Sequence, residues 1–598
     1  MRIPKYDLKI FRDFKRSKFQ FIAIIIIIIL GVGLYIGLSG SFLDLSTSYK
    51  YTYDRLNLAD FSITVAAAPE TVVEKVKGME NVLQASGQLE YETGYERASY
   101  DRAILKLSGI EPGKKVNKIH VLEGRNFKNS EEKKVGIIIS QFAEYNGIEV
   151  GDNINLNINN REVNIEIIGK ASSPDNIVVV MGKENPMPSP SVYGILYMPL
   201  GQLQEITGAT NRINKIDVIV ENSQKLNYTL ENVKQKLESY NIISDVKQED
   251  FPSVKMLRLD LEGLDELSKF FPILFFIIAS FSIYIMLARL IMSQRREIGV
   301  ARAIGYSRRQ ILFHYVKYAL YIVIIGSILG VAFGLLITRT ITIFYAQALG
   351  IPFIKNQIYY GVIFQGFIIS LVFGIVSAVL PARFTLSIKP AESMRMEQEG
   401  RLSFRPNSLS EKIIRGMLKF SLIAKLAIRN IFRNKKRTFF TVIGMVFSII
   451  LLFVSISMFD STEGMLDKWL NKVTRWDIKA IGSKNIPEDE IEDIESWQGV
   501  TLVEPIIEKK AKFKKGYQEY DGSVKGIIKD SKLHQFSPVN YPVAELETGK
   551  AMLNLGLKYK MDIKPGDYLT LETEAGDQMT FEVIDFTDEM VGISAYIT

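Results

Sequence analysis

Three histidines, His120, His314 and His534, are the side chains best suited to hold a metal or relay a proton, and they lie far apart in the sequence. None stands in a His-Glu-x-x-His pattern, so ordinary surface or interfacial histidines are expected and no metal site is assigned. The chain has no cysteine, which removes a disulfide framework, a thiolate metal site and a cysteine nucleophile together. Acidic neighbours such as Glu90 and Glu92 have no distinctive spacing, and no Gly-x-Ser-x-Gly elbow occurs. The nearest approach to a phosphate loop, Gly109-Ile110-Glu111-Pro112-Gly113-Lys114-Lys115, has the wrong spacing and lacks the hydroxyl. No catalytic residue and no cofactor are assigned.

The segment that could do mechanical work is Gln294-Arg295-Arg296-Glu297-Ile298-Gly299-Val300-Ala301-Arg302-Ala303-Ile304-Gly305-Tyr306-Ser307-Arg308-Arg309-Gln310. Good helix formers run to Ile304, and Gly305 suits a C′ position with positive φ. Ser307 with Gln310 makes a capping box that starts the next helix. The predicted element is a short helix over Gln294–Ile304 tied directly to two long ones. The alternative is a basic loop that only sets topology and touches anionic lipid. Such a loop needs the arginines but not the glycines and small residues, and on the residues alone the two readings stand level.

The elements that position this segment are apolar. The 598 residues are 47% hydrophobic and 23% charged on average, but five segments have no charged side chain: Phe19–Leu38, Phe270–Ala288, Tyr318–Thr338, Ile358–Ala382 and Thr438–Phe459. Each is long enough to cross a hydrocarbon core of ~30 Å as a helix. Seven Lys/Arg against Asp7 and Asp13 precede the first, which places the N-terminus in the cytoplasm. Its length favours a retained signal anchor over a cleaved signal peptide. Alternation then puts residues 1–18, 289–317 and 383–437 inside, with formal charges of +5, +6 and +10, and leaves −14 for the rest of a chain of net charge +7. The basic excess therefore reports orientation, and no nucleic-acid partner is expected.

Glu411 to Ile431, within the 383–437 linker, reads as a basic amphipathic helix on the inner leaflet, so membrane lipid is an expected partner. Gly326, Gly330 and Gly334 form a stripe at i, i+4 and i+8, and Gly33 and Gly37 another, which predicts close helix packing. Residues 39–269 carry strand alternation over Asp60–Ala66, Arg102–Ile110, Asn153–Ile158 and Arg161–Ile168, the last two joined at Asn159-Asn160. Helical periodicity marks Thr71–Met79, Pro199–Ile206 and Lys225–Tyr240. This is a mixed α+β domain with a helical stalk over Ser253–Lys269, and Tyr91, Tyr95 and Tyr100 are expected to pack on its strand faces.

Residues 460–598 read as a partial second copy. Arg12-Asp13-Phe14-Lys15-Arg16 is answered by Arg429-Asn430-Ile431-Phe432-Arg433. Asp60 to Asp477 and Gly151 to Gly566 are offset by 417 and 415 residues. By this register the sequence stops inside the second copy, before its further membrane helices.

Residues Arg295 to Gln310 resemble the signature of the FtsX/MacB-like (type VII) ABC transporter permeases. So do Pro381-Ala382-Arg383 with Ile388-Lys389-Pro390-Ala391-Glu392-Ser393-Met394-Arg395, and Leu426 to Thr438 ahead of the fifth apolar segment. The order of one helix, a large outer domain and three helices is similar too, and the duplication resembles the long two-copy members. The resemblance implies a multi-pass α-helical membrane protein with five transmembrane helices and large mixed α+β extracytoplasmic domains, in a bacterial cell membrane. It implies a non-catalytic subunit served by a homodimeric ABC ATPase in trans, with Arg295, Arg296, Glu297, Ile298, Gly299, Ala301, Arg302, Ala303, Ile304 and Gly305 as the coupling residues. Mechanotransmission would then export or extract a lipoprotein, peptide, amphiphilic antibiotic or lipid, with an extracytoplasmic protein or lipoprotein as a further partner. The alternative is an FtsX-like signalling scaffold that activates an extracytoplasmic cell-wall hydrolase. Two-copy length favours transport.

Overall fold

A computed structural model describes residues 8–96, 102–128, 130–159, 161–180, 190–383, 435–467, 473, 475–480, 486–516, 518–536, 546–573, 578–587 and 594–598. The chain divides into two compact units, Met1–Ser448 and Ile449–Thr598. The basic linker helix expected over Glu411–Ile431 lies outside the described residues.

The first unit begins with α1 (Leu8–Arg16) and α2 (Lys18–Leu56), separated by Ser17. Asn57, in the left-handed region at φ 55, ends α2 and turns the chain into β1 (Phe61–Pro69). There follow α3 (Thr71–Lys77), β2 (Val82–Glu96), β3 (Arg102–Ile110), β4 (His120–Gly124), β5 (Val135–Ile139) and α4 (Ser140–Asn146). The domain continues with β6 (Asn153–Ile158), β7 (Arg161–Ser172), β8 (Tyr193–Pro199), α5 (Leu200–Thr207), β9 (Arg212–Val220), α6 (Leu226–Leu237) and β10 (Ile242–Lys247). Then come α7 (Pro252–Ser293), α8 (Arg295–Ala303), α9 (Arg308–Ala348) and α10 (Tyr360–Ala382). Among the described residues, α2, α7, α9 and α10 are long and apolar enough to cross a membrane. The fifth apolar segment lies on another helix, α11 (Lys435–Asp467), many of whose side chains are outside the described residues.

The helices outrun their apolar runs. α2, α7 and α9 have 39, 42 and 41 residues, so each is roughly 60 Å long at 1.5 Å per residue, about twice a hydrocarbon core. The stalk expected over Ser253–Lys269 is the first part of α7, continuous with its apolar half.

The strands form one sheet in the order β10-β1-β9-β2-β3-β8-β5-β7-β4, with β6 on β7. β2 belongs to two lobes, because Val82–Gln88 pair with β9 and Leu89–Glu96 with β3. A single apolar core runs beneath both, with Phe61, Leu105, Ile137, Phe142, Ile165, Leu196 and Val218 fully enclosed. Tyr91 and Tyr95 pack partly against it.

Helices α2 and α9 approach through glycine on both sides. A β-carbon on Gly326, Gly330 or Gly334 would stand 2.8 Å from Ile28, Val32 or Ile36, and one on Gly33 would stand 2.6 Å from Phe333. Gly37 faces Ile337 in the same way. The close approach allows cross-helix hydrogen bonds: Thr338 Oγ1 donates to the Ile36 carbonyl at 3.1 Å and Ser41 Oγ to the Thr338 carbonyl at 3.2 Å, both buried.

In the second unit α12 (Glu488–Glu495) precedes β11 (Ile506–Lys515), β12 (Gln518–Ile527), β13 (Lys550–Asn554), α13 (Leu555–Met561), β14 (Tyr568–Thr573), β15 (Gln578–Thr587) and β16 (Ser594–Ile597). Its strands close a barrel in the order β11-β12-β16-β13-β15-β14 around Phe513, Leu557, Leu571, Val583 and Phe586. The pairing order repeats that of β2-β3-β8-β5-β7 with β6. Gly151 N donates to the Ile167 carbonyl at 2.7 Å, as Gly566 N does to Val583. Asp152 accepts from Glu149 N at 2.8 Å, as Asp567 does from Lys564 N.

Replacing Gly330 by leucine forces α2 and α9 apart, with an expected cost of about 1–3 kcal/mol from overpacking. Thermal unfolding of the detergent-solubilised chain checks it. Gly361→Leu, where a β-carbon meets nothing within 4 Å, serves as the control that stays near the parent.

Candidate functional site

Helix α8 spans Arg295–Ala303, with Gln294 as N-cap and Ile304 as C-cap, so the short helix expected over Gln294–Ile304 is present. It ends in a Schellman turn: Gly305 N donates to the Arg302 carbonyl at 3.2 Å and Tyr306 N to the Ala301 carbonyl at 3.1 Å. Gly305 sits at φ +108, where a side chain would be strained. Ser307 and Gln310 then form the full capping box that starts α9. Ile298, Gly299 and Ala301 face inward, while Arg296, Glu297, Val300, Ala303 and Gly305 are exposed; Arg295 and Arg302 are half-buried. Ile304 is 75% exposed at the tip, beside exposed Tyr306.

Helix α1 packs under this hairpin. Asp13 accepts from Gln294 Nε2 at 2.8 Å and from the Tyr318 hydroxyl at 2.7 Å. Gln294 Oε1 in turn accepts from the Tyr315 hydroxyl at 2.8 Å, and Lys9 pairs with Glu297. Ile10 is fully buried, and Phe14 lies 6.2 Å from the Tyr318 ring. Sequence reasoning missed Asp13; its only signal was that it is one of two acids, with Asp7, among the basic residues of the lead-in segment.

At the other end of α9 the connection 349–359 returns to α2 and the sheet. Asp44 accepts from Gln357 N at 2.9 Å, and Ser48 Oγ from Lys355 N at 2.9 Å. Ser172, at the end of β7, donates to the Gly350 carbonyl at 2.9 Å, and the His120 ring packs tilted against Phe353 at 4.6 Å. One helix thus carries the α8 hairpin at one end and contacts of the α+β domain at the other.

Residues 269–390 match the family model of the FtsX-like permease C-terminal domain. The chain carries an FtsX-like permease domain. Over 102 residues it is 32% identical to an uncharacterized ABC transporter permease, YvrN, of Bacillus subtilis (strain 168), covering 17% of this chain and 23% of the relative. The chain thus spans about a quarter of that relative's length. Two solved structures are similar at a TM-score of 0.23: the extracellular domain of the noncanonic ABC-type transporter YknZ from Gram-positive bacteria, and the periplasmic region of MacB from Actinobacillus actinomycetemcomitans. The first is 18% identical and covers 31% of this chain and all of its own; the second is 13% identical and covers 34% and 92%.

The whole α8 hairpin and Gly326, Gly330 and Gly334 fall inside the FtsX-like domain, whereas Gly33 and Gly37 meet it from α2. The histidines do not come together. His120 packs on Phe353, His314 on Tyr315 and Tyr318, and His534 on Phe536 and Tyr596. Among the described residues no group of three or more His, Asp or Glu could hold a metal.

Outside the FtsX-like domain, charge concentrates where β2 changes partner. Glu90 pairs with Lys215 at 3.0 Å and Lys106 at 3.5 Å. Asp217, fully buried, pairs with Lys114 at 3.2 Å and accepts from Ser62, Asn117 and Gln88. A cavity of about 250 Å³ opens here, lined by Glu90, Lys106, Tyr193, Lys215, Phe251 and Ser253, where α7 begins. Its lysines are taken up by Glu90, so the network locks the two lobes together.

Burial alone would raise the Glu90 carboxyl, but Lys106 and Lys215 outweigh it and bring it down to about 2. A carboxyl depressed in the folded state stabilises above its unfolded pKa near 4.5 and loses that contribution as pH falls toward 2. Acid unfolding of the full chain, followed by pepsin cleavage within residues 82–220, is expected to steepen across this window. Glu90→Gln should flatten that part of the profile and cost about 1–3 kcal/mol at pH 7, since it leaves two half-buried lysines short of a counter-charge.

Proposed function

We propose that the chain is the membrane subunit of an ABC transporter, with its N-terminus in the cytoplasm and the α+β domain outside the bacterial cell membrane. The α8 hairpin docks on a separate homodimeric ATPase. Closure of that ATPase pushes α8, and the push travels along α9 to the sheet and the stalk. The carrying observation is the hairpin itself: a helix locked by a Schellman turn, with Val300, Ile304 and Tyr306 exposed at its tip, joined through one capping box to a 41-residue helix. An exposed apolar tip on a basic loop is costly in water and fits a protein groove better than a lipid headgroup layer.

In this reading α11 is the fifth crossing, and residues 460–598 are extracytoplasmic. The cargo is a lipoprotein, peptide, amphiphilic antibiotic or lipid taken from the outer leaflet or the space beyond it. Charges are absent from the apolar segments, in keeping with transmitted movement and not with an ion path. The chain hydrolyses nothing itself; the ATPase partner does.

Ile304→Glu and Gly305→Val are expected to lower ATP turnover by the co-expressed ATPase at least tenfold while membrane insertion stays at the parent level. Gly305→Val acts through the left-handed backbone and Ile304→Glu through the docking tip, so both must act for the assignment to stand. Unchanged turnover in Ile304→Glu removes α8 as the coupling element.

A further inference from the structure

We propose that Asp13 is a positioning residue of the coupling hairpin, which makes helix α1 a third working part of it beside α8 and α9. The role rests on the coupling function proposed above, but its geometry stands alone. Residue 13 receives two hydrogen bonds from opposite ends of the hairpin: Gln294, the N-cap of α8, at 2.8 Å and Tyr318, three turns into α9, at 2.7 Å. Tyr315 closes the triangle by donating to Gln294 at 2.8 Å. Lys9, one turn earlier on the same face of α1, pairs with Glu297 in the first turn of α8.

Consider α8 without this clamp. It would be held by its two ends, Gln294 and the turn at Gly305-Tyr306, and by the non-directional apolar packing of Ile298 and Ala301, and could rock about them when pushed. With Asp13 in place, the start of α8 and the wall of α9 are fixed to one carboxylate. That carboxylate sits on a helix separated from α2 by the single residue Ser17. A push on Ile304 is then delivered to α9 and α2 together. A carboxylate suits the task because a single oxygen, Oδ2, accepts from both donors at once. Asn430 stands at the corresponding place of the second copy, so an amide is the conservative replacement that the sequence itself offers.

The absence of cysteine in the chain allows clean spin-label pairs. One pair, Lys15→Cys with Val300→Cys, spans α1 to α8; a control pair, Phe19→Cys with Phe313→Cys, spans α2 to α9. All four side chains are exposed. Electron–electron distances are measured on the full chain in lipid nanodiscs with no ATPase present, so failure of the coupling reading cannot masquerade as failure of the clamp. The α1–α8 distribution is expected to be single and narrow in the parent. It should widen at least twofold in Asp13→Ala and in Tyr318→Phe, and stay narrow in Asp13→Asn, where the amide oxygen takes the place of Oδ2 and still accepts from both Gln294 and Tyr318. The control pair should be unmoved in all three. A parent-like α1–α8 distribution in Asp13→Ala overturns the proposal. So does equal widening of the control pair, which reduces Asp13 to a general packing residue.

Discussion

The interleaved glycines of α2 and α9 are the constraint on which the rest of the first unit depends. Between apolar helices in a bilayer there is no hydrophobic gain from association, because lipid is as apolar as leucine; what remains is dispersion at close range and hydrogen bonds kept from water. Glycine on both helices supplies the first by letting Ile28, Val32 and Ile36 sit against bare backbone. The short separation then brings Thr338 and Ser41 within reach of carbonyls on the opposite helix. Larger residues at these places would forfeit both terms at once.

Because α2 and α9 are fixed to each other, everything attached to their ends inherits a common frame. α2 leads into β1 and α9 into the connection 349–359, so the sheet is gripped from two sides by one helix pair. The grip is made largely of backbone groups held by side chains: Asp44 and Ser48 on Gln357 and Lys355, and Ser172 on Gly350. Bonds of this kind are short and directional, and they are broken by displacement more readily than by salt. Within the sheet the lobes are joined differently. β2 runs through both, and the buried pairs about Glu90 and Asp217 sit at its change of partner. Removing one partner of such a pair leaves an uncompensated buried charge, which is why this junction resists opening.

Much of this was legible from residue order. Arg102–Ile110 and Asn153–Ile158 are strands over the expected residues, since alternation there is regular and one face is buried. Gly305 and the Ser307–Gln310 box were readable because caps and left-handed turns follow from local chemistry. β5 and β8 were not, since both are buried along nearly their whole length and carry a continuous apolar run with no period to detect. β2 mixes polar residues with Gly87 and Gly94 and hides its dual pairing. Asp13 was illegible for another reason: its partners are 281 and 305 residues away, and no local pattern announces a contact at that separation. The apolar runs gave the helices but not their lengths, because capping and tertiary contacts, not hydropathy, decide where a helix stops.

The two units show what the larger sheet adds to a shared strand order. In the second, β14 pairs with both β15 and β11, and the barrel closes by backbone hydrogen bonds. In the first, β6 pairs with β7 and, among the described residues, reaches β2 through side chains: Thr93 Oγ1 donates to the Asn157 carbonyl at 2.7 Å and Tyr91 to Asn159 at 3.2 Å. β2 has instead been extended to 15 residues, against 10 in β11, and its added part pairs with β9. Where β2 serves a second lobe, side-chain bonds stand in for backbone closure by β6. The lobe of β10, β1 and β9, with the Glu90 network at its junction, is therefore the part of the first unit that a closed barrel of this order lacks. It is also the part through which α2 enters the sheet and beside which α7 leaves it, so the departure from closure falls where the domain meets its long helices.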